Sequence, residues 1–298
     1  MISVCIPVYN FNICKLVDRL SLQGVRSGIP FEIIVIDDFS ESEYRTVNKG
    51  VGKNHTYIEL DSNIGRSRIR NLFPGYSKYE YLLFVDCDSE IPSEHFLENY
   101  VSELQNSDFQ VICGGRSYEK KLPAAELRLR WKYGTSRESH NAAVREREPY
   151  RYFMSNNFII SCKMLKQIRF DERISGYGYE DTLFAWNLLK SGIRIKHTDN
   201  PVIHLYTENN TEFIRKTENG IVNLSRIVLL TGYDKEFINN IKLLRVYYRI
   251  RRLYLALLLR VLFNPLRQTL RFSLRHQPVC LWLFDVYKLG LFSTVASK

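Results

Sequence analysis

Short apolar runs alternate with longer, more polar stretches over the first two-thirds of the chain, and this pattern limits the possible folds most. Five of the runs predict buried strands: Ile2–Val8, Glu32–Ile36, Tyr57–Leu60, Tyr81–Val85 and Asn157–Ser161. Continuous apolar strands that alternate with helices are typical of a doubly wound α/β fold. We therefore expect a mostly parallel sheet that is flanked by helices on both faces.

Polar side chains follow three of the predicted strands, at the point where each strand ends. Asp37 and Asp38 follow the second strand, residues 63–70 follow the third, and Asp86 and Asp88 follow the fourth. Ligands of open α/β sheets bind at the carboxyl ends of the strands. Because parallel strands end at one rim of a sheet, we expect these side chains to share a binding site.

Asp86 and Asp88 are two residues apart, so extended backbone would direct both carboxylates to the same side. Together they could hold Mg²⁺ or Mn²⁺ against a polyphosphate, since these ions prefer hard oxygen ligands. A solvated turn is the alternative for such a pair, but its place after an apolar strand favours a metal site. His204 follows another apolar run and could add an imidazole ligand, with an ordinary hydrogen-bonded histidine as the alternative.

Two further groups of charged residues lie at predicted helix starts. Arg66 and Arg70 share one side of a helix that follows Gly65, where guanidinium groups suit phosphate, although a solvated face is also open. Glu180 and Asp181 open an amphipathic helix, where carboxylates also interact favourably with the helix dipole. Between these groups, residues 119–152 break the strand pattern and predict one helix over Ala124–Tyr133, followed by a long surface loop.

The positive charge of the chain is concentrated at its end. The formal net charge is +10, and residues 238–298, with eleven basic side chains and one acidic, account for all of it. We therefore predict one domain over residues 1–235 and a basic, amphipathic helical tail over residues 236–298. A basic stripe beside a wide apolar face over residues 241–260, followed by a second basic stretch after Pro265, suits an anionic membrane surface. Packing on the domain or a partner remains open, and the interleaved leucines argue against nucleic acid.

Other features of the sequence predict a cytoplasmic protein that lies peripherally at the inner face of a membrane. No segment reaches the roughly 18–20 uncharged apolar residues that span a bilayer, and no signal peptide precedes the first strand. The six cysteines show no Cys-X-X-Cys pair and no regular spacing, which fits a reducing compartment. The oligomeric state stays open, with a homo-oligomer as one possibility.

Five motifs occur in an order that resembles family 2 inverting glycosyltransferases with the GT-A fold. They lie between residues 2 and 207, and they are Ile6–Asn10, Val35–Ser40, Asn63–Asn71, Phe84–Asp88 and Gly176–Asp181. The last of them, Gly-Tyr-Gly-Tyr-Glu-Asp, also resembles a galactosyltransferase-type motif. The resemblance implies a nucleotide-sugar donor and a divalent metal ion, with a helical basic extension after the GT-A domain.

The resemblance also implies where the nucleotide of the donor binds. Pro7, Tyr9 and Asp38 would line the nucleotide pocket, with Asp38 facing the base. Arg70 would lie near the diphosphate, and Asp86 would approach the ribose. These five residues are therefore the predicted donor-binding residues.

For the reacting end of the site, the resemblance assigns the metal to Asp88 and His204. Asp181 would be the catalytic base, with Glu180 beside it on the acceptor. Inverting transfer needs a carboxylate that takes the proton of the acceptor hydroxyl as its oxygen attacks the anomeric carbon. The chemistry of these side chains agrees with that role.

The sequence thus predicts a metal-dependent inverting glycosyltransferase of the hexosyltransferase type. Its donor would be a UDP-sugar, and its acceptor would be a glycan or a lipid-linked saccharide. It would act in polysaccharide biosynthesis. The alternative is a non-catalytic assembly protein at the membrane surface, built on a glycosyltransferase-like scaffold. A sugar-nucleotide pyrophosphorylase would need a Gly-rich basic loop after the first strand, which residues 7–12 lack.

Overall fold

The structure is a computed structural model that describes residues 2–205, 208–276 and 280–296. Its contacts divide the chain into two compact units. The first consists of Met1–Glu119, Glu138–Arg173 and Glu180–Leu205, and the second of Lys120–Arg137, Ile174–Tyr179 and Tyr206–Lys298.

The first unit contains the strands of the described chain, which form two sheets. The strands are β1 (Ile2–Val8), β2 (Phe31–Asp37), β3 (Thr56–Glu59), β4 (Tyr81–Val85), β5 (Ser89–Glu90), β6 (Val111–Cys113), β7 (Arg116–Ser117), β8 (Asn157–Ser161), β9 (Ile195–His197) and β10 (Val202–His204). The five predicted strands correspond to β1, β2, β3, β4 and β8, and their bounds agree to within one residue at each end.

The larger sheet has seven strands in the order β3-β2-β1-β4-β8-β6-β9. Strand β8 runs antiparallel to its two neighbours, and the other pairings are parallel. The prediction of a mostly parallel sheet is therefore confirmed. The smaller sheet has the order β5-β10-β7, with β10 antiparallel to β5 and parallel to β7.

Helices lie in both units. They are α1 (Cys14–Ser27), α2 (Ser42–Asn48), α3 (Arg66–Leu72), α4 (Phe96–Gln105), α5 (Arg128–Tyr133), α6 (Ala142–Arg145), α7 (Cys162–Gln167), α8 (Glu180–Lys190), α9 (Asn210–Leu230), α10 (Lys235–Asn240), α11 (Lys242–Arg252), α12 (Ala256–His276) and α13 (Leu281–Val295). In the described part of the chain, no helix has the length and apolar character needed to cross a membrane.

Two apolar layers cover the two faces of the seven-stranded sheet, because successive strand side chains point to opposite faces. On β1, Val4 and Ile6 join one layer, which includes Leu20 of α1 and Phe96 of α4. Residues of α3 and α8 form the opposite layer with Cys5. Burial of both faces explains why the strands are continuously apolar, and it leaves the strand ends for polar side chains.

The second unit is helical in its described residues. Phe284 of α13 packs against Phe213 of α9 and Tyr133 of α5, with ring centroids 5.4 and 5.7 Å apart. Helices α12 and α13 approach closely at Gly290, where an added Cβ atom would lie 2.1 Å from Cδ2 of Phe263. The glycine therefore makes room for the aromatic ring.

The segment over residues 119–152 differs from the prediction. A 3₁₀ turn over Ala125–Leu127 precedes α5, and the predicted long loop contains α6. The cause is Arg145, whose buried guanidinium donates hydrogen bonds to the backbone carbonyls of Cys113, Gly114 and Thr198. These bonds fix a charged segment that has no apolar pattern of its own.

The basic tail also differs from the prediction, which placed the basic stripe and the apolar face of residues 241–260 on a single helix. Helix α11 ends at Arg252, and Tyr254 has a left-handed backbone with φ = 60°. Such a residue commonly ends a helix. Helix α12 continues through Pro265, although the proline has no N–H to donate to the carbonyl of Val261.

Candidate active site

The smaller sheet brings three distant chain segments together at the end of β4. Ser89 of β5 is paired with His204 of β10, and Arg116 of β7 is paired with Val202 of the same strand. The backbone N–H of Leu205 also donates a hydrogen bond to the carbonyl of Asp88, at 2.8 Å. Asp88, Arg116 and His204 therefore lie side by side.

Asp88 and His204 form the predicted metal pair. Oδ2 of Asp88 lies 3.3 Å from Nδ1 of His204. The imidazole is buried, Tyr118 packs edge-on against it, and neither ring nitrogen has a hydrogen-bond partner among the described residues. Burial of Asp88 opposes its ionisation, but His204, Arg116 and Arg66 outweigh this effect and hold the pKa of Asp88 well below its usual range.

This donor set fits a divalent cation. A carboxylate oxygen and a buried imidazole beside it are two suitable ligands for Mn²⁺, and phosphate and water oxygens can complete the shell. In the described ranges, no cluster of three or more His, Cys, Asp or Glu side chains could hold a metal ion. A cation at this position would therefore depend on oxygens from its substrate.

Asp86 is surrounded by three guanidinium groups. Arg70 is buried and donates a hydrogen bond to Oδ1 of Asp86 at 2.6 Å. Nη2 of Arg66 lies 3.5 Å and Nη2 of Arg116 lies 3.9 Å from Oδ2 of the same carboxylate. Burial lowers the pKa of Arg70, and the Asp86 carboxylate opposes that shift. Asp86 and Arg70 are thus partners of each other, below the surface of the rim.

Glu180 and Asp181 lie in the first turn of α8. The Nε–H of Arg66 donates a hydrogen bond to Oε1 of Glu180, which is buried. Arg66 therefore links Glu180 to Asp86. Burial and the neighbouring charge of Glu180 raise the pKa of Asp181 to about 6, although Arg66 and Arg116 act in the opposite direction. Asp181 is thus an acid whose pKa lies close to neutral pH.

The Gly-Tyr-Gly-Tyr run before α8 has an unusual backbone. Gly176 and Gly178 have φ angles of 79° and 99°, and Tyr179 has 66°. Glycine adopts this left-handed region without the steric cost that a Cβ atom brings. An added Cβ atom at Gly178 would also lie 3.0 Å from the Cα atom of Gly220. The motif is therefore a tight turn that leads directly into the two carboxylates.

The remaining predicted residues lie at the ends of β1 and β2, which are neighbours in the sheet. Asp38 accepts hydrogen bonds from the backbone N–H groups of Ile64 and Gly65, at 2.6 and 2.9 Å. Burial raises the pKa of Asp38 against the effect of these two bonds. Pro7 is half-buried within β1, and Tyr9, just after that strand, is exposed.

The structure thus brings most of the predicted site residues together. Arg66 contacts both Asp86 and Glu180, and Arg116 contacts Asp86. Both arginines also act on Asp88, which lies beside His204. The same rim also holds Pro7, Tyr9 and Asp38, because the ends of β1 and β2 meet there: the N–H of Asp38 donates a hydrogen bond to the carbonyl of Val8. Their roles in binding and catalysis remain predictions.

Sequence reasoning missed Arg116 and Glu138. Arg116 belongs to a two-residue strand, and its Nη1 lies 3.3 Å from Oε2 of Glu138, which also accepts a hydrogen bond from Tyr118. Neither residue lies in a motif or in a periodic run. Only the pairing of β7 with β10 reveals that Arg116 faces Asp86.

A mostly parallel sheet with carboxylates and a histidine gathered beside its rim agrees with the GT-A class of α/β fold. Residues 3–169, more than half of the chain, match the family described as Glycosyl transferase family 2, and the chain belongs to that family. The resemblance that the five motifs indicate is therefore confirmed at the level of the family.

Solved structures and curated relatives agree with this assignment. The Pyrobaculum calidifontis mannosyltransferase PcManGT, in complex with GDP-Man and Mn²⁺, has a TM-score of 0.63 at 14% identity, covering 99% of this chain and 86% of that chain. S. aureus TarS in complex with UDP-GlcNAc has a TM-score of 0.50 at 18% identity, covering 99% and 90%. At such identities, the likeness shows a shared fold.

A chondroitin synthase of Pasteurella multocida is 23% identical over 227 residues, which are 64% of this chain and 23% of that protein. The chain spans about a quarter of the length of the first curated relatives that it matches.

Proposed function

We propose that the chain is a metal-dependent inverting glycosyltransferase of the hexosyltransferase type. It moves a sugar from a UDP-sugar to a hydroxyl of a glycan or a lipid-linked saccharide in polysaccharide biosynthesis. The observation that carries the proposal is the meeting of Asp86, Asp88, His204 and Glu180 from three distant segments around Arg66 and Arg116. Membership of Glycosyl transferase family 2 supports the reaction class.

In this proposal, Asp181 is the catalytic base. Its pKa of about 6 leaves it ionised at neutral pH, and it remains basic enough to take the proton of an acceptor hydroxyl. The oxygen attacks the anomeric carbon as the bond to the nucleoside diphosphate breaks, so a single displacement inverts the configuration. Glu180, held by Arg66, lies beside the base and contacts the acceptor.

Asp88 and His204 are the proposed protein ligands of Mg²⁺ or Mn²⁺. When bound, the ion neutralises the charge of the departing nucleoside diphosphate. Arg66 and Arg116 add fixed positive charge next to this position, and they do so without an exchangeable ion. Asp86 and Arg70 are assigned to the ribose and the diphosphate, and their mutual ion pair would hold both side chains in position.

The nucleotide end of the donor is assigned to Pro7, Tyr9 and Asp38. Asp38 also anchors the loop before α3 through Ile64 and Gly65, so the proposed base-binding carboxylate is fixed to this loop. The structural neighbours bind different nucleotides: TarS is in complex with UDP-GlcNAc, and PcManGT with GDP-Man. We propose UDP for this chain and a galactosyltransferase-type role for the Gly176–Asp181 motif.

The acceptor and the location belong to the same proposal. A chondroitin synthase and a hyaluronan synthase are among the relatives, which supports an acceptor that is a growing glycan. The basic tail supports work at the inner face of a membrane, where lipid-linked saccharides are accessible. A homo-oligomer is compatible with this proposal.

The experiment is a screen of UDP- and GDP-sugars for nucleotide release and sugar transfer, with Mn²⁺, with Mg²⁺ and with a chelator. We expect transfer from one UDP-sugar that needs the metal, together with an inverted anomeric configuration in the product by NMR. Asp18→Ala, an exposed change on α1, is the control for Asp88→Ala, which we expect to be inactive. A chain that releases no nucleotide and transfers no sugar under any condition would contradict the proposal and favour the non-catalytic assembly protein.

A further inference from the structure

The second unit carries a run of large apolar side chains that face solvent, which we call the apolar ridge. It lies at the turn between α11 and α12 and on the first half of α12. Its members are each at least 46% exposed, and they are Leu253, Tyr254, Leu255, Leu257, Leu258, Val261, Leu262 and Leu266. Contiguous apolar surface of this kind marks an interaction site in a soluble domain.

The core of the second unit is formed by other side chains than those of the ridge. The same helices already bury another set of apolar side chains: Leu244 and Tyr247 of α11, and Phe263 and Leu274 of α12. Phe263 packs at Gly290 of α13, and Tyr247 lies 4.9 Å from Phe292 between ring centroids. Helix α12 therefore has two apolar faces: one packs within the unit, and the other belongs to the ridge.

Exposed positive charge lies next to the ridge. Between Glu236 and Asp285 the sequence contains nine Lys or Arg residues and no acidic residue. Arg249, Arg251 and Arg252 are exposed in the last turn of α11, directly before the ridge begins. Two copies of the chain that met through this surface would bring like charges together. An anionic surface, in contrast, would complement them.

We propose that the apolar ridge inserts into the headgroup region of an anionic lipid bilayer. The side chains of Leu253–Leu258 and the next turn of α12 enter the upper acyl region, to a depth of about 5–10 Å, while Arg249, Arg251 and Arg252 contact lipid phosphates. The inference deepens the proposed function and rests on its membrane location. Vesicle binding, however, needs neither donor nor acceptor, so it can be tested separately.

The test is flotation of the full chain with vesicles of phosphatidylcholine, with and without phosphatidylglycerol. We expect binding to the anionic vesicles that weakens as salt is raised. The ridge variant is Leu257→Ser, Leu258→Ser and Val261→Ser in one chain, and we expect it to lose binding. Its matched control replaces three equally exposed residues of the same types: Leu22→Ser, Val25→Ser and Leu229→Ser.

The contribution of charge is tested by Arg251→Glu with Arg252→Glu. We expect vesicle affinity to fall by about thirty-fold or more, since each lost arginine is worth about a factor of five near an anionic surface and each added glutamate is repelled by it. The control reverses two exposed charges elsewhere, Lys163→Glu with Lys166→Glu, and should bind as the unchanged chain does. All these positions are exposed, so circular dichroism should show the same thermal midpoint for every variant.

Three results would overturn the inference. The unchanged chain could fail to float with anionic vesicles, or the ridge variant could float as well as its control. Sedimentation could instead show a dimer that the ridge variant converts to a monomer, which would assign the ridge to a second copy of the chain. Sugar transfer to a soluble acceptor distinguishes the two proposals. A chain that floats with anionic vesicles but transfers no sugar would contradict the proposed activity and leave the membrane proposal intact.

Discussion

At Asp181, burial and the carboxylate of Glu180 act in the same direction, and they raise its pKa to about 6. A base works only in its ionised form, which prevails above this pH. We expect kcat/KM to reach half of its plateau at about pH 6, and to approach a tenfold fall per pH unit as the pH is lowered further. Initial rates at low substrate concentration, measured across this range, test the expectation.

Glu180→Gln provides the control for that pH profile. The charge of Glu180 raises the pKa of Asp181, so its removal should move the acidic limb of the profile to lower pH. A chain that carries Asp18→Asn together with Glu180→Gln should show the same pH profile as Glu180→Gln alone, because Asp18 is exposed on α1. A limb that stays at the same pH in Glu180→Gln would assign the titration to another group.

Asp181→Asn keeps the shape of the side chain and removes the base. We expect transfer to fall by a factor of about 10²–10⁴, which is the usual contribution of general base catalysis. Titration calorimetry should find UDP affinity unchanged, since Asp181 is assigned to the acceptor hydroxyl. If UDP affinity fell in parallel with transfer, Asp181 would belong to the donor site instead.

At the scale of elements, the contact between α12 and α13 depends on Gly290. An added Cβ atom would lie between 2.1 and 2.5 Å from three atoms of the buried Phe263 ring. We expect Gly290→Ala to lower the free energy of unfolding by about 1–3 kcal/mol, the usual cost of overpacking. At Gly50 an added Cβ atom would meet no other side chain within 4 Å, so Gly50→Ala should lower the free energy of unfolding far less in the same denaturant titration. Equal effects of the two changes would contradict this account of the contact.

The main strands could be predicted because both faces of the sheet are buried, so that each strand is a continuous apolar run. The direction of β8 could not, since an apolar run carries no sign of parallel or antiparallel pairing. The ordered segment around α6 depends on one buried side chain, Arg145, bonded to three distant carbonyls. A local pattern cannot contain such long-range information.

The candidate site shows the same division. Asp86, Asp88, Glu180 and Asp181 were predictable because they follow a strand or open a helix within recognisable motifs. Arg116 was not, because β5, β7 and β10 are only two or three residues long and their pairing joins segments far apart in the chain. The positive charge beside the proposed diphosphate therefore comes from the tertiary structure as much as from the motifs.

For the whole molecule, composition and structure describe two kinds of region. The sheet unit contains the family motifs up to Asp88 and the two carboxylates of α8. The helical unit takes in the end of the chain, together with residues 120–137 and 174–179. A boundary at residue 235 between a catalytic domain and a tail stays a prediction.

The central claim is that Asp88 and His204 hold one cation together with the nucleotide of the donor. The most direct test is calorimetric titration of UDP into the full chain with Mn²⁺ and with a chelator, repeated for Asp88→Ala and His204→Ala. The account predicts that Mn²⁺ strengthens UDP binding in the unchanged chain and has no such effect in either variant. UDP binding that responds equally to Mn²⁺ in all three proteins would contradict it.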